Sequence, residues 1–135
     1  MKLFISSLIL FISLGFVKLQ DQEVIQLSKV LFSSKEFQHH FPQKIDTIYV
    51  YSNLKTDYKS FINNKKTVLL FYTKESLFVK NPQEWFEIKD LNSKKGKFYF
   101  NLFQRKSVDC KECRFSSFSV IIDKDFTVKK MKKYK

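Results

Sequence analysis

Alanine is absent from this chain, and glycine, proline and cysteine appear only twice each among 135 residues, with tryptophan once. Each scarcity closes a class of function. Two glycines cannot line a phosphate with backbone N–H groups, and no G-x-G-x-x-G, Walker loop, G-x-S-x-G or H-E-x-x-H occurs. Two cysteines and two histidines make at most one four-ligand zinc set, and His39 and His40, being adjacent, are expected to point away from each other on a helix or a strand. Arginine is scarce too. Lys and Arg total 25 against 13 acidic residues, yet only Arg105 and Arg114 carry the guanidinium that grips phosphate in bidentate fashion.

What is abundant is lysine and phenylalanine. The formal charge is +12. Such a balance admits an acidic polymer or anionic lipid surface as partner, whereas the shortage of arginine speaks against nucleic acid. Lys, Phe, Asn and Ile are also the residues an AT-rich genome encodes most readily, so a solvated basic surface explains the same charge. Sixteen Phe and six Tyr are enough for one real core.

The first residues read as an export signal. Lys2 supplies the positive start, and Leu3 to Val17 is an uncharged apolar run, too short for the ~20 residues of a comfortable span. Without alanine there is no A-x-A site, but Ser13-Leu14-Gly15 offers small residues at the required spacing, and a cut near Gln20 is the other option. The expected organisation is a signal peptide over 1–19 and a single α+β domain over 20–135, in the periplasm or secreted. Lys2 and Lys18 leave with the signal, so +12 becomes +10. An uncleaved segment would be the only membrane contact.

"DQEVIQLSKVLFSSKEF" predicts a helix. Asp21 caps, Glu23 lies in the first turn, and Val24, Leu27, Val30 and Leu31 form an apolar stripe that runs toward Phe37–Phe41 before Pro42. "KIDTIYVYSN" alternates, with Ile48 and Val50 on one face and Thr47, Tyr49 and Tyr51 on the other, as a strand does. "LKTDYKSFINNKK" reads as a connector with one or two helical turns, "TVLLFYT" as a central strand, and "KESLFVKNP" as a helical turn or edge excursion stopped by Pro82. "EWFEIKDL" and "KFYFNLFQRK" form a hairpin through "NSKKG", where Gly96 takes a positive φ; "RFSSFSVII" and "FTVKKMKKY" form another through "DKD". The fold class expected is α+β, an N-terminal helix packed on a curved, mostly antiparallel sheet of about five strands.

Three features could carry chemistry. Cys110 and Cys113 form a C-x-x-C, but strand-like sequence follows, not the helix whose dipole activates a thioredoxin thiol, and no second pair completes a zinc ribbon. In an oxidising compartment the pair closes as a local disulfide; redox chemistry, or metal binding with His39, His40 or ligands of a partner, are the other readings. Lys129, Lys130, Lys132, Lys133 and Lys135 crowd the last strand, with Val128, Lys130 and Lys132 expected on one face and Lys129, Met131 and Lys133 on the other. They either guard a sheet edge against aggregation or form a basic binding edge. Glu84, Glu87 and Asp90 straddle a strand without isolating a catalytic pair, and Asp123 and Asp125 belong to a turn.

The order of signal, helix, strand, short helix and antiparallel meander, with "TVLLFYTKESLFVKN" and "WFEIKDLNSKKGKFYFNLFQRK", resembles small exported α+β proteins common in Bacteroidota. Those carry a curved sheet wrapped on a helix, similar in outline to cystatin-like and nuclear-transport-factor-like folds. The resemblance implies a fold and no catalytic residue. The expectation is a non-enzymatic binding or interaction domain without cofactor, its partner a small apolar ligand or a protein. A thiol-redox or metal-binding periplasmic protein, and a polyanion binder, are the alternatives. Mass analysis of the exported protein after thiol alkylation, with and without prior reduction, should show both cysteines labelled only after reduction. Equal labelling in both samples rejects the disulfide.

Overall fold

Two adjacent serines interrupt the amino-terminal helical pattern. The computed structural model describes residues 21–107 and 116–134. Helix α1 covers residues 21–32, and α2 is Lys35–His40. Between them the Ser33 hydroxyl donates to the Lys29 carbonyl at 2.7 Å and the Ser34 hydroxyl to the Leu31 carbonyl at 2.7 Å. Ser34 also caps α2, accepting the Phe37 N–H at 3.1 Å. Serine side chains that compete for backbone groups in this way favour caps over helix interiors. The single helix expected from the sequence is therefore two, and the second ends at His40 as the pattern indicated.

Seven strands follow among the described residues: β1 (Thr47–Tyr51), β2 (Tyr58–Ile62), β3 (Thr67–Phe71), β4 (Glu84–Lys94), β5 (Lys97–Lys106), β6 (Ser117–Asp123) and β7 (Val128–Lys133), with α3 (Lys74–Lys80) between β3 and β4. They form one open sheet in the order β2-β3-β1-β4-β5-β6-β7. The expectation of about five mostly antiparallel strands is corrected in two respects. "DYKSFI" is not helical but forms β2, antiparallel to β3. And β1 lies parallel to both its neighbours, β3 and β4, so the sheet is mixed. The carboxyl-terminal half does run as the antiparallel meander read from the sequence. Its first hairpin is tighter than "NSKKG" suggested: β4 extends to Lys94, and only Lys95 and Gly96, at φ 52° and 76°, make the turn.

One face of the sheet carries the core. Ile48 and Val50, Leu69 and Phe71, Phe86 and Ile88, Phe100 and Leu102, and Phe118 and Val120 all point to it. Against them pack Val24, Ile25, Leu27, Leu31 and Phe32 of α1 and Phe37 of α2. Ser28 is fully buried within this contact, and its hydroxyl donates to the Val24 carbonyl at 2.7 Å. A small side chain whose one polar group is satisfied inside its own helix lets the helix approach the sheet closely. Val30, placed in the stripe by spacing alone, is only half-buried. Helix α3 lies over the opposite face, where Tyr72 borders the same hollow as Glu75, Ser76 and Val79; its buried Leu77 stands outside the main core.

Leu31 is completely buried and Val30 is not. Leu31→Ala should therefore cost about 3 kcal/mol in urea denaturation, by lost burial and a residual cavity, and Val30→Ala under about 1 kcal/mol. Comparable losses would displace α1 from its place on the sheet.

Candidate functional site

Strand β1 stops short of its neighbour. It pairs with β4 only at Val50 opposite Phe86 and Tyr51 opposite Glu87, whereas β4 continues to Lys94. Past Glu87, no strand among the described residues lies on the β1 side of β4. A cleft of about 650 Å3 occupies that step. Tyr51, Ser52, Asn53 and Lys55 form one wall, Glu87 to Leu91 the other, and Asp21 and Val24 of α1 complete it. The position has a topological cause. The chain leaves β1 toward the β2–β3 hairpin on one side, then crosses back through α3 to β4 on the other. Crevices in sheets with parallel strands open where neighbouring connections diverge, at the strands' carboxyl ends.

Local sequence shapes both walls. Asn53, at φ 54°, turns the chain out of β1, and Leu54 then anchors it in the core. On β4 a bulge between Lys89 and Asn92 reorients the strand, with Asp90 at φ 58°. Asn101 Nδ2 donates to Asp90 Oδ2 at 3.0 Å, and Asn92 Nδ2 donates to the Asp90 carbonyl at 3.1 Å, holding this conformation. The Ser52 hydroxyl donates to the Ile88 carbonyl at 3.3 Å and ties the two walls together.

The charged groups are not equally available. Glu87 Oε1 accepts from both Nε (3.0 Å) and Nη2 (2.8 Å) of Arg105. That leaves Lys55 and Lys89 as exposed cations of the lining, with Asp21 at the first described turn of α1 and the exposed Asp90 as its acids. Burial raises the Tyr51 phenol above its ordinary value, with Glu87 and then Glu75 adding to the shift. Burial likewise raises Tyr72, which stacks on Tyr49 at 5.8 Å. Both phenols therefore stay protonated donors at neutral pH. The indole of Trp85, edge-on to Tyr51 at 6.4 Å, buries its Nε1 without a hydrogen-bond partner among the described residues. Among the described residues lining the cleft, the Ser52 hydroxyl is bonded to a backbone carbonyl and not to a histidine or carboxylate.

The residues singled out by sequence fall elsewhere. Cys110 and Cys113 lie outside the described residues, as does Lys135. Lys129, Lys130, Lys132 and Lys133 are exposed on β7, an outer strand of the sheet, and Lys129 sits 3.4 Å from Asp123. The strict alternation expected there is broken. A register shift between Ile121 and Ile122 lets Val128 and Met131, three apart, both face the core, so the lysines divide differently between the two faces. His39 and His40 end α2, yet their rings meet edge to face at 5.4 Å instead of diverging. His40 Nε2 lies 3.1 Å from the Met131 carbonyl, and its ring rests on Phe118 at 4.9 Å, so it fastens α2 to the edge strand. No group of three or more metal-ligating side chains occurs among the described residues. Glu84, Glu87 and Asp90 each engage a separate partner: Lys106 and Gln104, Arg105, and Asn101.

Compared with protein-family models, with curated proteins and with solved structures, the chain matches none. No helix among the described residues is long and apolar enough to cross a membrane.

Sequence reading passed over Asp57. Its Oδ1 accepts the Thr73 N–H at 2.8 Å and its Oδ2 the Ser76 hydroxyl at 2.6 Å, which pins the start of α3 to the loop leaving β1. These bonds, Ser76 first and then Thr73, hold its pKa below the ordinary 3.8. A carboxylate with a depressed folded-state value contributes stability that is complete above its unfolded value and lost as pH falls through the folded one. Asp57→Asn should cost about 1 kcal/mol at pH 7, the modest figure appropriate to an exposed group, and the variant's deficit should shrink below about pH 4. A deficit constant from pH 7 to pH 2 would assign the effect to something other than the carboxylate's charge.

Proposed function

We propose that this chain is an exported, non-enzymatic interaction domain that accepts an extended peptide segment in the cleft beyond β1. The supporting observation is the step itself: β4 has 11 residues but meets β1 at only two registered pairs, and the cleft opens alongside the remainder. A peptide laid there would continue the line of β1 and use the sheet edge, a recurring mode in which main-chain bonds give affinity and alternate side-chain pockets give specificity. Val24, Ile88 and Leu91 supply apolar contact, and Lys55 and Lys89 favour an acidic residue in the segment. Tyr51 adds a phenol donor.

Export is proposed from the amino-terminal apolar run and its lysine, in keeping with the resemblance to small exported α+β proteins. The lysines of β7 fit the role of edge protection within this reading: a basic outer strand is kept from pairing, while the inner step stays available.

Panning a random ten-residue peptide library and titrating a selected peptide into 15N-labelled protein tests the proposal. Amide shifts should concentrate at Ser52–Lys55 and Ile88–Leu91, and Lys55→Glu with Lys89→Glu should weaken an acidic peptide about tenfold. Shifts confined to β7, or affinity indifferent to both substitutions, would place the interaction elsewhere.

A further inference from the structure

At the amino end of β1, away from the peptide cleft, a second hollow of about 370 Å3 has a different character. Phe32, Phe37 and Phe41 with Ile45 and Ile48 make its walls. The rings are locked together: Phe37 stacks on Phe41 at 4.8 Å and meets Phe32 edge-on at 4.9 Å. Phe41 and Ile45, half-buried, present the apolar surface of this wall, and Phe32, Phe37 and Ile48 lie behind them almost wholly buried and fix its shape.

The rim carries charge of one sign. Lys44 and Lys66 are its charged lining residues, no Asp or Glu lines it, and neither lysine takes part in a salt bridge among the described residues. Both are exposed. Gln38, Gln43 and Asn63 add hydrogen-bonding groups, whereas the Thr67 hydroxyl is already spent on the Ile45 carbonyl at 3.2 Å.

A left-handed hairpin turn delivers Lys66. Asn63, Asn64 and Lys65 are three consecutive non-glycine residues at φ 52°, 58° and 68°, and the turn closes with the Lys66 N–H donating to the Asn63 carbonyl at 3.1 Å. Positive φ at the central residues is what such a hairpin turn demands, as at Lys95 and Gly96 in the β4–β5 turn.

From these observations we infer that the hollow binds an amphipathic organic anion, with an apolar body against the phenylalanines and one carboxylate or sulfonate between Lys44 and Lys66. Its volume admits about a dozen non-hydrogen atoms at ~30 Å3 each, the size of a ten-carbon fatty acid. Buried apolar area supplies the attraction, and the two ammonium groups select the head. A neutral alcohol of the same length loses the head contact, and an amine meets repulsion.

Decanoate is the probe. Calorimetric titration should give one saturable site per chain, with decanol bound about tenfold more weakly and decylamine not at all. In the Lys44→Glu/Lys66→Glu variant, whose changes are on the surface, decanoate affinity should fall at least about tenfold while the melting temperature holds. Ile45→Trp, which fills the hollow, should remove both decanoate and decanol binding. A Lys130→Glu/Lys132→Glu variant of the β7 edge should behave as wild type. Unchanged decanoate affinity in the Lys44/Lys66 variant, equal binding of decylamine, or loss only in the β7 variant would overturn the inference.

Discussion

The structure depends on burying one face of the sheet beneath α1. Val50, Leu69, Phe71 and Leu102 on the sheet, and Leu31 on the helix, are all fully excluded from water. At about 25 cal/mol per Å2 of apolar surface removed, these contacts are the main force available to hold a mixed sheet of this size together. Every other feature is arranged around that contact. Ser28 is small so that the helix can come close, and its hydroxyl is satisfied within the helix so that closeness carries no unpaired polar group. The serine break after Phe32 then lets α2 turn and lay Phe37 on Phe32 and Phe86.

Because β1 is interior to the sheet, short and parallel to both neighbours, a hollow opens at each of its ends. At its carboxyl end the sheet steps down from a longer β4, and the divergence of two connections keeps the step open. At its amino end the chain arriving from α2 brings Phe41 and Ile45 beside the β2–β3 turn. The two hollows differ because different sequence reaches them. Ser, Asn and Lys follow β1, so its carboxyl end is polar. Phe and Ile precede it, so its amino end is apolar with a basic rim.

Much of the local structure was legible. The alternation of Ile48 and Val50 against Tyr49 and Tyr51 gave β1 and its buried face, Gly96 marked the β4–β5 turn, and "DKD" marked the last one. β2 was missed because "DYKSFI" has polar residues at positions that would betray a strand by alternation, and a two-sided edge strand leaves little pattern to read. The bulge in β7 was missed because Val128 and Met131, three apart, share a face only once an extra residue is accommodated opposite β6. Of the candidate sites, the lysine edge was readable from its run of charge, whereas neither cleft was. Tyr51, Lys55 and Lys89 are ordinary strand and loop residues until β1 and β4 are laid side by side.

The sequence by itself determined the elements that rest on short-range physics: helices from spacing and caps, strands from alternation, turns from Gly, Asn and Asp, and the excess of positive surface. Only the tertiary structure decided that β1 pairs parallel with both β3 and β4, that it ends two registered pairs into β4, and that Lys44 and Lys66 share the rim of one hollow. The reason is the range of the interactions. Parallel pairing joins strands through crossovers of a dozen residues or more and leaves no mark in the intervening sequence. A cleft is the space that remains once those long-range contacts have formed.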